Sequence, residues 1–133
     1  MLASKKAGNI DKPEFIIRFS HADVVVVIEC KPHRKYHKSD TLKKYSDYAV
    51  DAALLYSSFL SKEFDVFSIG VSGEIEKNLK IDAFLQIKGE RKATNLNTKK
   101  LLPFSHYFKH LDKRMPKKDP ETKKKRRAAY TLS

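Results

Sequence analysis

The stretch Pro13-Glu14-Phe15-Ile16-Ile17-Arg18-Phe19-Ser20-His21-Ala22-Asp23-Val24-Val25-Val26-Val27-Ile28-Glu29-Cys30-Lys31 decides the fold. Two runs of β-branched and aromatic residues, at 15–19 and 24–28, flank the short polar link Ser20-His21-Ala22-Asp23, a pattern that predicts a β-hairpin. A two-residue loop at His21-Ala22, or a four-residue loop, sets Glu14 opposite Glu29; a three-residue loop or a bulge would shift the pairing. In the first register Phe15, Ile17 and Phe19 face Ile28, Val26 and Val24, forming one apolar face. Glu14, Ile16 and Arg18 share the other face with Glu29, Val27 and Val25. The same alternation puts Glu29 and Lys31 on one side of the strand and Cys30 on the other.

Two carboxylates directly across a strand pair repel, and a buried carboxylate is costly without a partner. A divalent cation between Glu14 and Glu29 resolves both problems. An isolated Glu-x-Lys is more often a surface ion pair at a strand end. Here an apolar strand runs into the triplet and a second acid lies in register, a pattern that favours metal-dependent phosphodiester cleavage. Asp23 shares the parity of Glu29 but lies six residues upstream, roughly 20 Å away at about 3.3 Å per residue, and reads as a turn residue.

The order Lys12-Pro13-Glu14-Phe15-Ile16-Ile17, a gap, then Ile28-Glu29-Cys30-Lys31, resembles the core of the PD-(D/E)XK nuclease superfamily. The likeness is greatest to the amino-terminal endonuclease domains of restriction-modification proteins of type I and type IIG. The resemblance implies that Glu14 and Glu29 bind Mg²⁺, with Mn²⁺ as a substitute, that the backbone carbonyl of Cys30 adds a ligand, and that Lys31 orients or activates the attacking water. Glu14 stands where the family more often has Asp, keeping the charge with a longer reach. Many members also carry a glutamine four residues before a tyrosine on the next helix. Lys44 and Tyr48 hold that spacing here, with Lys for Gln, where the lysine would meet a phosphate or a catalytic carboxylate; an ordinary amphipathic helix face explains the pair equally well.

At 133 residues and 41% hydrophobic content the chain suffices for one domain with a single core. No apolar run has the length of a membrane span or signal peptide, so no membrane partner is expected. A single cysteine excludes an internal disulfide and a cysteine-based zinc site, which fits a reducing, cytoplasmic setting. The formal net charge of +12 points to a polyanionic partner, with DNA foremost.

Residues 32–38, Pro-His-Arg-Lys-Tyr-His-Lys, form a basic connector directly after the carboxylate strand. Arg34, Lys35 and Lys38 are candidate phosphate contacts there, and a solvated loop is the equal alternative. His33 and His37 have the spacing of a helical metal pair but lack an acid partner and follow Pro32, so phosphate contact or a supporting hydrogen bond suits them better. A helix is predicted over 39–60, capped by Ser39 or Asp40, with Leu42, Tyr45, Ala49, Ala52, Tyr56 and Leu60 as its packing stripe. Strands are predicted at 64–71 and 81–87, each ending near a glycine, with a polar connection at 74–78. The first of these can pair parallel to the Glu-x-Lys strand through the helical crossover. The expected class is α/β, a restriction-endonuclease-like core with a mixed sheet of at least four strands flanked by helices.

The predicted organisation is a nuclease-like domain over 1–112 and a basic linker or tail over 113–133. Family members usually begin with a helix, whereas residues 1–12 read as a loop, so the chain is expected to be a trimmed piece of a longer protein. Residues 101–111 predict one more helix. The lysines and arginines at 117–127 suit DNA, a nuclear address or a solvated linker, and residues 128–133 would begin a helix of a following methyltransferase or motor domain. The expected activity is Mg²⁺-dependent DNA endonuclease cleavage leaving 5′-phosphate and 3′-hydroxyl ends, with a homodimer where both strands are cut. A non-catalytic DNA-binding or assembly module on the same fold is the alternative. A basic RNA-binding protein fits the charge but not Glu14, Glu29 and Lys31.

Overall fold

A computed structural model describes residues 14–19, 22–74 and 78–114. The expectations for a missing first helix, for the loop residues Ser20 and His21, and for the tail from residue 115 onward lie outside these residues. The chain is α/β: a five-stranded mixed sheet in the order β1-β2-β3-β4-β5, with two helices. The strands are β1 (Phe15–Phe19), β2 (Val24–Lys31), β3 (Asp65–Ser72), β4 (Lys80–Gln86) and β5 (Thr94–Asn95); the helices are α1 (Ala49–Leu60) and α2 (Phe104–Arg114). β2 and β3 run parallel, and every other pair is antiparallel.

The hairpin has the register read from the sequence. Phe15 pairs with Ile28, Ile17 with Val26 and Phe19 with Val24. Past β1, Ala22 N–H donates to the Phe19 carbonyl at 3.0 Å, and Asp23 takes φ 51°, a left-handed conformation that Asp tolerates better than most residues. Asp23 is thus a turn residue.

Alternation along the strands divides the core into two layers. Val24, Val26, Phe67, Ile69, Val71, Ile81, Ala83 and Leu85 point to one side, where Tyr107, Phe108 and Leu111 of α2 cover them. Phe19 meets the rings of Phe104 and Phe108 edge-on at 5.5 and 5.1 Å, and Phe67 stacks on Phe108 at 5.9 Å. On the other side Val25, Val27 and Val66 pack with Tyr56 of α1. Small residues at Ala49, Ala52 and Ala53 let α1 approach the sheet closely, and Gly70 sets the closest point. A Cβ there would lie 2.8 Å from Val50 Cγ2 and 2.9 Å from Val50 N. β2 is buried, but Phe15 and Ile16 at the edge of the hairpin are 55% and 43% exposed: Ile16 faces the α1 side, where the buried cluster is built on β2 and β3, and Phe15 faces the α2 side, where Ile17 and Phe19 are the β1 residues that pack against the core.

The helix predicted over 39–60 is also corrected, since α1 begins at Ala49. Its capping residue Tyr48 is extended and Leu42 has φ 61°, so the helical path cannot extend back through them. The cause is Asp51, fully buried in the first turn of α1. Its carboxylate accepts from Ser39 N–H at 3.1 Å, from Lys44 N–H at 2.9 Å and from the Ser39 hydroxyl, which draws residues 39–44 into a loop folded over the helix start. Ala49, Ala52 and Tyr56 of the predicted stripe are buried; Leu42 is exposed.

Candidate functional site

The parallel strands β2 and β3 end side by side, and the sheet register draws a polar cluster to that end. Glu29, Gly70 and Asp82 form one row across β2, β3 and β4; Lys31, Ser72 and Lys80 form the next. Every one of these positions lies on the α1 side by strand parity. The carboxyl ends of parallel strands are the usual ligand-binding edge of an open α/β sheet.

Glu29 is buried, while Glu14 is exposed and stands one residue before β1, where the ladder carried one step further faces it to Glu29. Both charges reach Cys30: burial first, and then Glu14 and Glu29, push its thiol up, which keeps it protonated and unreactive at neutral pH. The Cys30 side chain packs toward the α2 layer, opposite Glu29. Lys31 shares the Glu29 face, and its ammonium donates to the Ser46 carbonyl at 3.1 Å, tying the strand end to the loop before α1. Among the described residues no three His, Cys, Asp or Glu side chains gather as a metal site.

The basic connector is a shaped element. Residues 34–36 form a 3₁₀ turn, leaving Arg34, Lys35 and Lys38 exposed. His37, next in sequence, turns inward. Its Nδ1 lies 2.8 Å from Ser72 Oγ and its Nε2 lies 2.7 Å from Asp82 Oδ2, while Lys99 donates to the other Asp82 oxygen. A neutral imidazole completes this chain: Nε2–H donates to the carboxylate and the Ser72 hydroxyl donates to Nδ1. Burial pushes His37 down, against the pull of Asp82, and Lys80 and Lys38 reinforce the shift. Burial alone would raise Asp82, but hydrogen bonds from Lys99 and His37 prevail and hold its carboxyl below the usual range.

Lys44 and Tyr48, predicted on a helix, stand on the loop and at its junction with α1. Lys44 Nζ lies 5.9 Å from the Tyr48 ring centre, and Tyr48 meets Tyr36 edge-on at 5.6 Å. The structure therefore groups Glu14, Glu29 and Lys31 at one strand end and seats Arg34, Lys35, Lys38, Lys44 and Tyr48 on the adjoining segment. Sequence reasoning missed Ser72, Asp82, Asp51 and Lys99. Asp82 alone left a signal, an acid on the apolar strand run at 81–87.

Compared with known proteins, the chain matches no family model, no curated protein and no solved structure. Among the described residues no helix is long and apolar enough to cross a membrane.

Proposed function

We propose that the chain is a Mg²⁺-dependent DNA endonuclease domain on a restriction-endonuclease-like core, the cleavage module of a restriction-modification protein. The observation that carries the reading is the hairpin register: extended by one residue, it brings Glu14 to buried Glu29, with Lys31 on the same face at the end of β2. Two carboxylates and the Cys30 carbonyl form an all-oxygen donor set of the kind hard divalent cations take, so the residues fit the metal that the family resemblance implies. Bound there, Mg²⁺ supplies charge neutralisation at the scissile phosphate and a water of lowered pKa.

The remaining work falls to the chain itself. Lys31 is exposed to solvent at its tip and exchanges the Ser46 carbonyl for the negative charge that develops on the phosphate. Arg34, Lys35 and Lys38 hold the backbone on either side, and Lys44 contributes a further cation. These contacts are sequence-neutral, so they position the strand without choosing bases.

Plasmid nicking with and without Mg²⁺ tests the proposal. Glu29→Ala and Lys31→Ala are each expected to lower metal-dependent nicking by about 10²-fold or more while leaving DNA binding nearly intact. Full nicking by both variants overturns it. The Lys31–Ser46 bond favours one alternative, a binding module in which the lysine is a structural tie. Calorimetric titration with Mg²⁺ separates the two, since the enzyme reading requires heat that Glu14→Ala and Glu29→Ala remove.

A further inference from the structure

Three rings gather at the surface between residues 33 and 48. His33 is exposed, and Tyr36 and Tyr48 are half-buried. Tyr36 sits at the centre, with His33 at 6.2 Å and Tyr48 at 5.6 Å, both steeply inclined to it. Neither tyrosine belongs to the apolar cores on the two sides of the sheet. Lys35 Nζ lies 5.0 Å from the centre of the Tyr36 ring and Lys44 Nζ lies 5.9 Å from that of Tyr48. Both lysines are exposed, so each approaches its ring from solvent.

The segment is held in place before any ligand arrives. His37 fixes it to β3 and β4, the buried carboxylate of Asp51 folds residues 39–44, and Val50 N–H donates to the His37 carbonyl at 2.8 Å. Binding would therefore order little new chain. The local charge selects the ligand's sign: residues 31–48 contain six lysines and arginines against two aspartates.

We propose that this segment is a stacking site for an unpaired nucleotide, with the base against Tyr36 and the flanking phosphates on Lys35 and Lys44. A base inside a duplex already has both faces stacked, so a half-buried surface ring among cations gains most from a base that is free. The base takes the place of an ammonium over the ring, and the displaced lysine moves onto the adjacent phosphate. The preferred substrate is then DNA with a single-stranded element, such as a gap, fork or overhang, beside the carboxylate end of β2. The inference rests on reading the chain as one that acts on DNA, and it does not require cleavage.

The test uses the full chain in EDTA, with a single-stranded oligonucleotide carrying one 2-aminopurine and the matching duplex. Stacking on Tyr36 quenches the 2-aminopurine fluorescence. Tyr36→Leu, which keeps bulk and charge but loses the ring face, is expected to abolish the quench and weaken single-strand binding roughly tenfold. Duplex affinity and the slope of log K against log salt stay as in the wild type, because no cation is lost. Tyr36→Phe restores both quench and affinity. The proposal is overturned if wild-type protein gives no quench, a result independent of how any variant folds. It is also overturned if Tyr36→Leu lowers single-strand and duplex affinity together, since the ring would then only support the loop. Wild-type protein that nicks plasmid with Mg²⁺ yet gives no quench overturns the stacking site alone, and a wild-type quench without nicking overturns the cleavage reading alone.

Discussion

His37 joins three parts of the molecule through one ring: the basic connector, the end of β3 at Ser72 and the row of β4 at Asp82. All three residues are buried, so His37→Ala would leave a hydroxyl and a carboxylate facing each other without their shared partner. That loss is expected to lower unfolding free energy by about 1–3 kcal/mol, measured by urea titration at pH 7.5. The pH dependence has a definite sign. Burial keeps the His37 pKa below its unfolded value, so the unfolded chain binds the extra proton first. The stability it contributes is complete above about pH 6.5 and is lost as pH falls from there toward the folded pKa. Asp82, held low by Lys99 and His37 against its burial, contributes stability that is present above about pH 3.9 and lost as pH falls through its folded pKa. Urea midpoints measured from pH 8 to pH 3 should therefore decline in two stages, and His37→Gln should flatten the upper one. An unchanged upper stage in that variant would assign it to other groups.

At the scale of elements, the decisive contact is α1 against β3. Gly70 stands between Glu29 and Asp82 in their row, and Val50 fills the space a side chain would need. Backbone atoms of Val50 lie within reach of the added methyl, so the contact cannot be relieved by a rotamer change alone. Gly70→Ala is expected to cost about 1–3 kcal/mol by forcing the start of α1 outward, visible as a melting temperature several degrees lower. Nicking activity should fall with it, because the same shift moves Ser46, which holds Lys31. The elements themselves were readable from the sequence to different degrees. The hairpin follows from β-branched and aromatic runs on either side of a short polar link, β3 and β4 from apolar runs of strand length ending near a glycine, and α2 from residues 101–111, because those signals are local. α1 was predicted too long because Leu42 and Tyr45 fit the helical period, while the carboxylate that unwinds residues 39–44 acts from Asp51, later in the chain. β5 has two residues and no periodic signal. The site divides in the same way. Glu14, Glu29 and Lys31 lie on one hairpin and could be paired by counting, whereas His37 finds Ser72 and Asp82 at separations of 35 and 45 residues that no local pattern encodes.

Over the whole molecule the governing quantity is charge. Residues 115–133 hold seven lysines and arginines and two acids, which leaves +7 of the total +12 on the rest of the chain. Among the described residues the buried core side chains run from Val24 to Leu111, all of them retained when residues 115–133 are removed. A chain ending at Arg114 therefore separates two sources of DNA affinity: the connector with its lysines beside the carboxylates, and the basic tail. If the tail neutralises phosphates, each contact releases counterions and contributes about 0.9 to the slope of log K against log salt. Duplex binding measured in EDTA between 50 and 300 mM NaCl should then show a slope flatter by up to about 6 in the shortened chain. Mg²⁺-dependent nicking at low salt, where the connector suffices, should persist within roughly tenfold, since the tail acts on encounter and residence rather than at the reacting phosphate. A slope that is the same for both chains would place the DNA contacts wholly on the residues up to Arg114, and the tail's charge would then have to serve something other than this duplex.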